Sequence, residues 1–237
     1  MTRATRSARR AVIAFVALAL FAAFVTLGSW QLQRRTWKQD LIARVDARVH
    51  APPVALPERA RWPQTSAASD EYRHVQASGA YLPDADTLVQ AVTARGAGFW
   101  VLTPLALADG SVVLVNRGFV PPELRGRVAP VTGPTTVTGL LRLTEPGGAF
   151  LRRNEPAAGR WFSRDVQAIA AARGLAPAAP YFIDADAGPA DANAPIGGLT
   201  VIAFADNHLV YAITWYTLAL MVAAGAWRLK EQRAEPD

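Results

Sequence analysis

Two uninterrupted apolar runs, one near each end of the chain, leave few folds open to it. The first is AVIAFVALALFAAFVTLG, Ala11 to Gly28, and the second is LVYAITWYTLALMVAAGAW, Leu209 to Trp227. Neither contains Asp, Glu, Lys, Arg or His. A bilayer core ~30 Å thick is crossed by roughly 20 apolar residues in helix, and both runs reach that range. The expected organisation is α+β: a basic tail (1–10), a transmembrane helix (11–28), a large water-exposed domain (29–208), a second transmembrane helix (209–227) and a short tail (228–237).

Charge placement orients this hairpin. Arg3, Arg6, Arg9 and Arg10 precede the first run without an acid, although Arg34, Arg35 and Lys38 follow it closely. The second run decides: Asp206 and His208 stand before it, and Arg228, Lys230 and Arg233 after it. Both tails are expected to be cytoplasmic and the domain extracytoplasmic, in a multi-pass arrangement. The competing reading of the first run is a cleaved signal peptide. Its apolar stretch exceeds the usual h-region, and the following GSWQLQRRTWKQDL has no small-residue cleavage site in the right place, so an uncleaved anchor is expected.

The formal charge of +6 does not point to nucleic acid. Four of those charges sit in the N-terminal tail, the C-terminal tail is neutral, and the domain keeps two. That distribution suits anionic headgroups better than a phosphate-binding face. With no Cys and only Met1 and Met221 as thioethers, thiol redox chemistry, Cys-attached haem and Cys-type copper carriage are excluded. No disulfide supports the domain, which must hold by packing.

Within the domain, helical spacing of Trp30, Trp37, Leu41 and Val45 carries the first helix on past Gly28. An interfacial belt of Trp and snorkelling Arg and Lys is the preferred account of it, a partner-binding stripe the other. Residues 51–69 are Pro-rich and read as an ordered or loose connector. From Tyr72 to about Glu145 the pattern is that of β-structure. Val112 to Val115 form a continuous apolar run suited to a core strand, and Val137, Leu141 and Leu143 alternate with Thr136, Thr138 and Arg142 as in a half-buried one. SRDVQAIAAARG predicts a helix with Ser163 as N-cap, Asp165 in its first turn, Gly174 just beyond its end, and Val166, Ile169 and Ala170 buried. PYFID and GLTVIAFA read as further strands. The domain is thus expected to be a mainly antiparallel sheet or barrel with one or two helices.

Chemistry-bearing patterns are sparse. No Gly-x-Ser-x-Gly, His-Glu-x-x-His or phosphate-cradling loop occurs, and the histidines are His50, His74 and His208, so an independent enzyme is not expected. His208 is the most informative residue. It opens the second span, Asp206 or Asn207 can cap that helix, and His208, Tyr211, Trp215 and Ala219 recur at helical spacing. Such a ring can ligate haem iron or contact a buried partner. On residue types alone, an ordinary interfacial His with two aromatics is the stronger account. NRGF, Asn116 to Phe119, reads first as a strand end turning through Gly118 at positive φ, and second as a site where Arg117 pairs with a carboxylate such as a haem propionate.

GSWQLQRRTWK after the first run, TPL from Thr103, VLVNRGFVP from Val113, RWFSRD from Arg160 and NHLVYAITWYTLA from Asn207 together resemble the Surfeit locus protein 1 family, in order and over nearly the whole chain. Phe119 stands where that family usually has Trp. The resemblance implies an assembly factor, not an enzyme, for haem-copper cytochrome c oxidase, acting while the catalytic subunit receives haem a. It implies haem a as cofactor, with His208 in the position of the histidine thought to ligate its iron. The oxidase catalytic subunit is the implied partner, haem a synthase a second one, and the lipid bilayer the third. His208, Tyr211 and Trp215 would hold iron and ring, and Arg117, Arg34 or Lys38 the propionates. A cofactor-free scaffold for an oxidase subunit is the alternative. The short tail before Ala11 leads to the expectation of a bacterial cytoplasmic (inner) membrane with a periplasmic domain.

Overall fold

The computed structural model describes residues 3–131, 133–149, 151–188, 194–202 and 204–231. The chain divides into two units: residues 1–44 with 203–237, and residues 45–202.

The first unit is built on two helices, most of α1 (Arg3–Val49) and α3 (His208–Glu231). Ala, Leu and Val dominate the N-terminal half of α1, and no Pro occurs before Pro52, so nothing breaks the helix before its 47 residues are complete. At about 1.5 Å per residue it is roughly 70 Å long, more than twice a hydrocarbon core. The continuation past Gly28 is therefore helical, as the spacing of Trp30 and Trp37 predicts. Both helices leave large apolar side chains such as Phe15, Leu18, Ile213 and Leu220 exposed. A helix in the core of a soluble protein would bury them; these are suited to lipid.

The two helices meet at small residues. Gly28, Ala212 and Ala219 are buried. A Cβ on Gly28 would lie 2.9 Å from the Tyr216 ring, so any larger residue there would have to displace that ring. Ser29 Oγ donates to the Val25 carbonyl (2.9 Å) and lies 3.0 Å from the Tyr216 hydroxyl. With the Ser29 proton committed, Tyr216 is the donor across the pair. Trp215 stacks on Phe24 at 5.8 Å. Close approach at small residues plus an interhelical hydrogen bond is how helices pair where water supplies no hydrophobic drive.

The second unit holds a seven-stranded sheet. Its strands are β1 (Val54–Ala55), β2 (His74–Tyr81), β3 (Thr87–Thr93), β4 (Gly96–Leu107), β5 (Val112–Val120), β6 (Pro134–Leu143) and β9 (Ala178–Ala185); β7 (Gly148–Ala149) and β8 (Arg152–Arg153) form a separate pair. The order is β1-β2-β6-β9-β5-β4-β3, and β2 pairs also with β4 through Gly79–Tyr81 and Leu105–Leu107. Only β1–β2 and β5–β9 are parallel. The sheet is thus mainly antiparallel, as expected.

Two cores lie on its two faces. Val75, Leu105, Val113, Val115, Leu141, Tyr181 and Ile183 form one. Val89, Leu102, Leu114, Phe182 and Trp161 form the other, closed by Val166 and Ile169 of α2 (Val166–Arg173). Successive strand residues point to opposite faces, so Val113 and Val115 enter the first core and Leu114 the second. This double coverage is why Val112–Val115 is apolar without a break.

The helix over 166–173 forms with Val166, Ile169 and Ala170 buried and Gly174 at φ +64° beyond it, as predicted. Its N-cap is not Ser163. Asp165 caps it, accepting from the Ala168 N–H at 3.1 Å, while buried Ser163 accepts from the Asn154 side chain. The helix starts late because Arg164 is drawn into an ion cluster described below. Residues 51–69 are an ordered segment with a 3₁₀ turn (Arg59–Gln64): Leu56 and Trp62 pack on the first core, and the Tyr181 hydroxyl donates to the Pro57 carbonyl (3.1 Å). Burial pushes the Tyr181 phenol up to about 12. GLTVIAFA is not a strand over residues 198–202, and Ala203 lies outside the described residues. Gly198 donates to the Ala185 carbonyl (2.9 Å) and the Thr200 hydroxyl to Asp184 (3.0 Å), so the segment is tied down irregularly and Val201 is left exposed.

His74 opens β2 with Nε2 2.9 Å from Asp186 and Nδ1 2.9 Å from the Ala51 carbonyl. Burial disfavours the charged ring, but these partners outweigh it and raise its pKa above the ordinary 6.5. The stabilisation is complete below pH 6.5 and is lost as pH rises through the raised folded value. Urea midpoints taken from pH 6 to 8.5 should fall with pH in the wild type, and the slope should flatten in Asp186→Asn. An equal slope in both would contradict this assignment.

Candidate functional site

α3 begins at His208, whose main-chain N–H donates to the Asp206 carboxylate (3.2 Å), while the Tyr211 N–H reaches the Asn207 carbonyl (3.2 Å). Of the two caps the sequence offers, Asp206 provides the side chain. The His208 ring is fixed from the other helix: Nδ1 lies 2.7 Å from Gln31 Oε1. One turn further along α3 the helix pair closes over Ala212, and two turns along Trp215 lies on Phe24. Tyr211 is turned about 100° from Ala212 around the helix and is 54% exposed. The structure therefore joins His208 and Trp215 to the helix contact and leaves Tyr211 outside it.

The cations expected to meet propionates are distributed differently. The Arg34 guanidinium lies 4.0 Å from the Trp37 ring centroid, and the Lys38 ammonium 5.3 Å from that of Phe204. Arg117 belongs to the sheet-rich unit. Its side chain is only 9% exposed, donates to the Ala129 carbonyl (2.9 Å), stands 3.8 Å from Asp86 and faces the Tyr81 ring at 5.7 Å.

NRGF is not a strand end. β5 runs through it to Val120, and the pairings Leu102 with Asn116 and Trp100 with Phe119 count three steps on β5 against two on β4. That mismatch is a β-bulge. Gly118 takes φ +130° in it, so the expectation of positive φ holds while that of a turn does not. Phe119 and Ile196 exchange N–H···O bonds of 2.9 Å beside it.

The bulge aims Asn116 into a cluster that no sequence pattern signals. Asp184 of β9, buried, accepts from Asn116 Nδ2 (2.7 Å), Arg142 (2.9 Å), Arg164 (3.0 Å) and Thr200 (3.0 Å). Glu71 takes a second Arg142 nitrogen (2.8 Å) and Glu145 the Arg164 Nε (3.0 Å). Arg142, read as the wet face of a half-buried strand, is instead largely buried. Burial alone would lower its pKa, but Asp184 and Glu71 raise it. Trp100, Arg164, Asp184 and Thr200 border a cavity of about 350 Å³. Arg142 and Arg164, the two guanidinium groups of the cluster, are both paired with its acids, so the cluster is a structural clasp.

A model of the SURF1 family matches residues 18–220. The chain belongs to that family. Surfeit locus protein 1 of Homo sapiens is 33% identical over 255 residues, covering 98% of this chain and 82% of the human one. Its counterpart in Rattus norvegicus is 38% identical over 213 residues, 81% of this chain and 67% of that one. A SURF1-like protein of Monosiga brevicollis is 35% identical over 215 residues, 84% and 80%. In this SURF1-family protein two of the three internal segments, VLVNRGFVP and RWFSRD, supply Asn116 and Arg164 to one carboxylate. The outer two, GSWQ and NHLVY, supply Gln31 and His208 to one hydrogen bond.

The donor set discriminates between metal groups. Among the described residues no three of His, Cys, Asp or Glu cluster as they would around a bare ion. A single imidazole suffices for an iron-porphyrin, whose macrocycle brings four nitrogens of its own. The His208 imidazole, held by Gln31, meets that one-ligand requirement.

Proposed function

We propose that this membrane-anchored SURF1-family protein binds haem a through His208 and assists its insertion into the catalytic subunit of cytochrome c oxidase, by binding rather than catalysis. The observation that carries the reading is His208 itself: an imidazole anchored at the start of an apolar helix, with the Trp215–Phe24 stack two turns below. When bound, the haem supplies an iron that takes one more nitrogen. Gln31 would hold the ring that provides it and Asp206 the main-chain N–H of the same residue, Trp215 would offer apolar surface along the helix, and Arg34 and Lys38 of α1 would supply positive charge for propionates. The bilayer is a respiratory one, the bacterial cytoplasmic membrane or its mitochondrial counterpart. Both tails lie on the cytoplasmic or matrix side, supported by the charge distribution, and the oxidase subunit and haem a synthase are the partners.

A cofactor-free scaffold has its own support in the exposed Trp30 and Trp37 of α1. Complementation separates the two. In a strain lacking the protein, the wild type should restore haem a in the membrane-bound oxidase. His208→Ala, present in the membrane at the same level, should restore a tenth or less. Full restoration by His208→Ala would favour the scaffold.

A further inference from the structure

We infer that Gln31 is the positioning residue for His208: it accepts the proton on Nδ1 and so presents Nε2 as the lone-pair donor to an iron-porphyrin, an inference that rests on the haem reading above. A neutral imidazole carries one N–H and one lone pair, and the partner of one nitrogen decides the role of the other. The Gln31 oxygen can only accept. With the amide oxygen turned to the ring, as placed at 2.7 Å, a neutral imidazole must carry its proton on Nδ1, which leaves Nε2 unprotonated. No partner for Nε2 occurs among the described residues. Free histidine in water favours the opposite tautomer, with the proton on Nε2 and no lone pair there for a metal. Gln31 thus selects the form that solution disfavours.

The placement of Gln31 follows from the helix contact. It lies three residues beyond Gly28, whose missing side chain admits Tyr216, and two beyond Ser29, which accepts from the Tyr216 hydroxyl. These contacts fix α1 against α3 close to where a glutamine side chain reaches the first residue of α3. The two partners are 177 residues apart in sequence. The main-chain bond from His208 to Asp206 holds the other end of the residue. This is the arrangement by which metal-binding histidines are oriented through their second nitrogen, where loss of the partner typically weakens metal binding by roughly 10- to 100-fold.

The test uses full-length protein in detergent micelles with ¹⁵N-labelled histidine, and haemin as probe. In the cofactor-free wild type, His208 should show a protonated Nδ1 and an unprotonated Nε2, its signals identified by their loss in His208→Ala. Gln31→Leu should move the proton to Nε2 or average the two, with helical circular dichroism unchanged. Gln31→Glu, which keeps an acceptor, should retain the wild-type tautomer. Haemin affinity should fall about 10- to 100-fold in Gln31→Leu and be kept or improved in Gln31→Glu. An unchanged tautomer in Gln31→Leu, or a changed tautomer with undiminished haemin affinity, overturns the role of Gln31 and leaves the haem reading standing. Haemin binding equal in wild type and His208→Ala, or absent from both, overturns the haem reading and this inference with it.

Discussion

Replacing Asp184 with alanine is expected to destabilise the sheet-rich unit by about 3–5 kcal/mol, the range for breaking a buried ion cluster by removing one partner. The Asp184 side chain is 4% exposed, and two guanidinium groups only 14% and 13% exposed converge on it. Without it, Arg142 and Arg164 face each other with Glu71 and Glu145 as their remaining acids. Asn116 and Thr200 also lose their acceptor. The damage spreads because these partners come from β5, β6, the approach to α2 and the segment after β9. Asp184→Asn keeps the shape and one oxygen acceptor but not the charge, and should lose less. Denaturation of the full-length protein in detergent, followed by the near-ultraviolet signal of Trp100 and Trp161, checks both. A loss under 1 kcal/mol in Asp184→Ala would show that the two arginines find water instead.

Gly118→Ala is expected to cost roughly 3 kcal/mol, from backbone strain of about 1–3 kcal/mol and overpacking of about the same size. At φ +130° an L-residue is strained in any surroundings. Here the added Cβ would also overlap the Ile196 carbonyl and the Gly197 nitrogen, which are backbone atoms and cannot rotate aside. Relief by moving the 194–198 segment would break the paired bonds between Phe119 and Ile196. By contrast Gly126→Ala, also at positive φ but with open space around it, should cost only the strain. The same denaturation experiment compares them, and equal losses would mean that packing against Ile196 contributes nothing.

What the sequence revealed followed the range of the forces involved. The apolar runs, the amphipathic pattern of 166–173 and the doubly covered Val112–Val115 strand are local patterns, and each appears in the structure. Ser163 and Asp165 are both good caps by residue type, and Asp165 takes the position because Arg164 reaches for Glu145 and Asp184. GLTVIAFA has the composition of a strand, yet Gly197 and Gly198 bring its backbone against Asp186 and Ala187, a constraint no periodicity carries. The bulge at Gly118 depends on register with β4. The Asp184 cluster gathers partners 20, 42 and 68 residues away, and the Gln31–His208 bond spans most of the chain. Each of these pairs two residues whose separate contexts look ordinary. The quoted signature segments already held Asn116, Arg164, Gln31 and His208, but not which of them meet.

The most direct test of the central claim is the absorption spectrum of full-length protein purified from membranes of cells that make haem a, wild type beside His208→Ala. The account predicts bound haem a in the wild type and its loss from a folded His208→Ala protein. A wild type devoid of haem, or a His208→Ala protein carrying as much haem as the wild type, would contradict it.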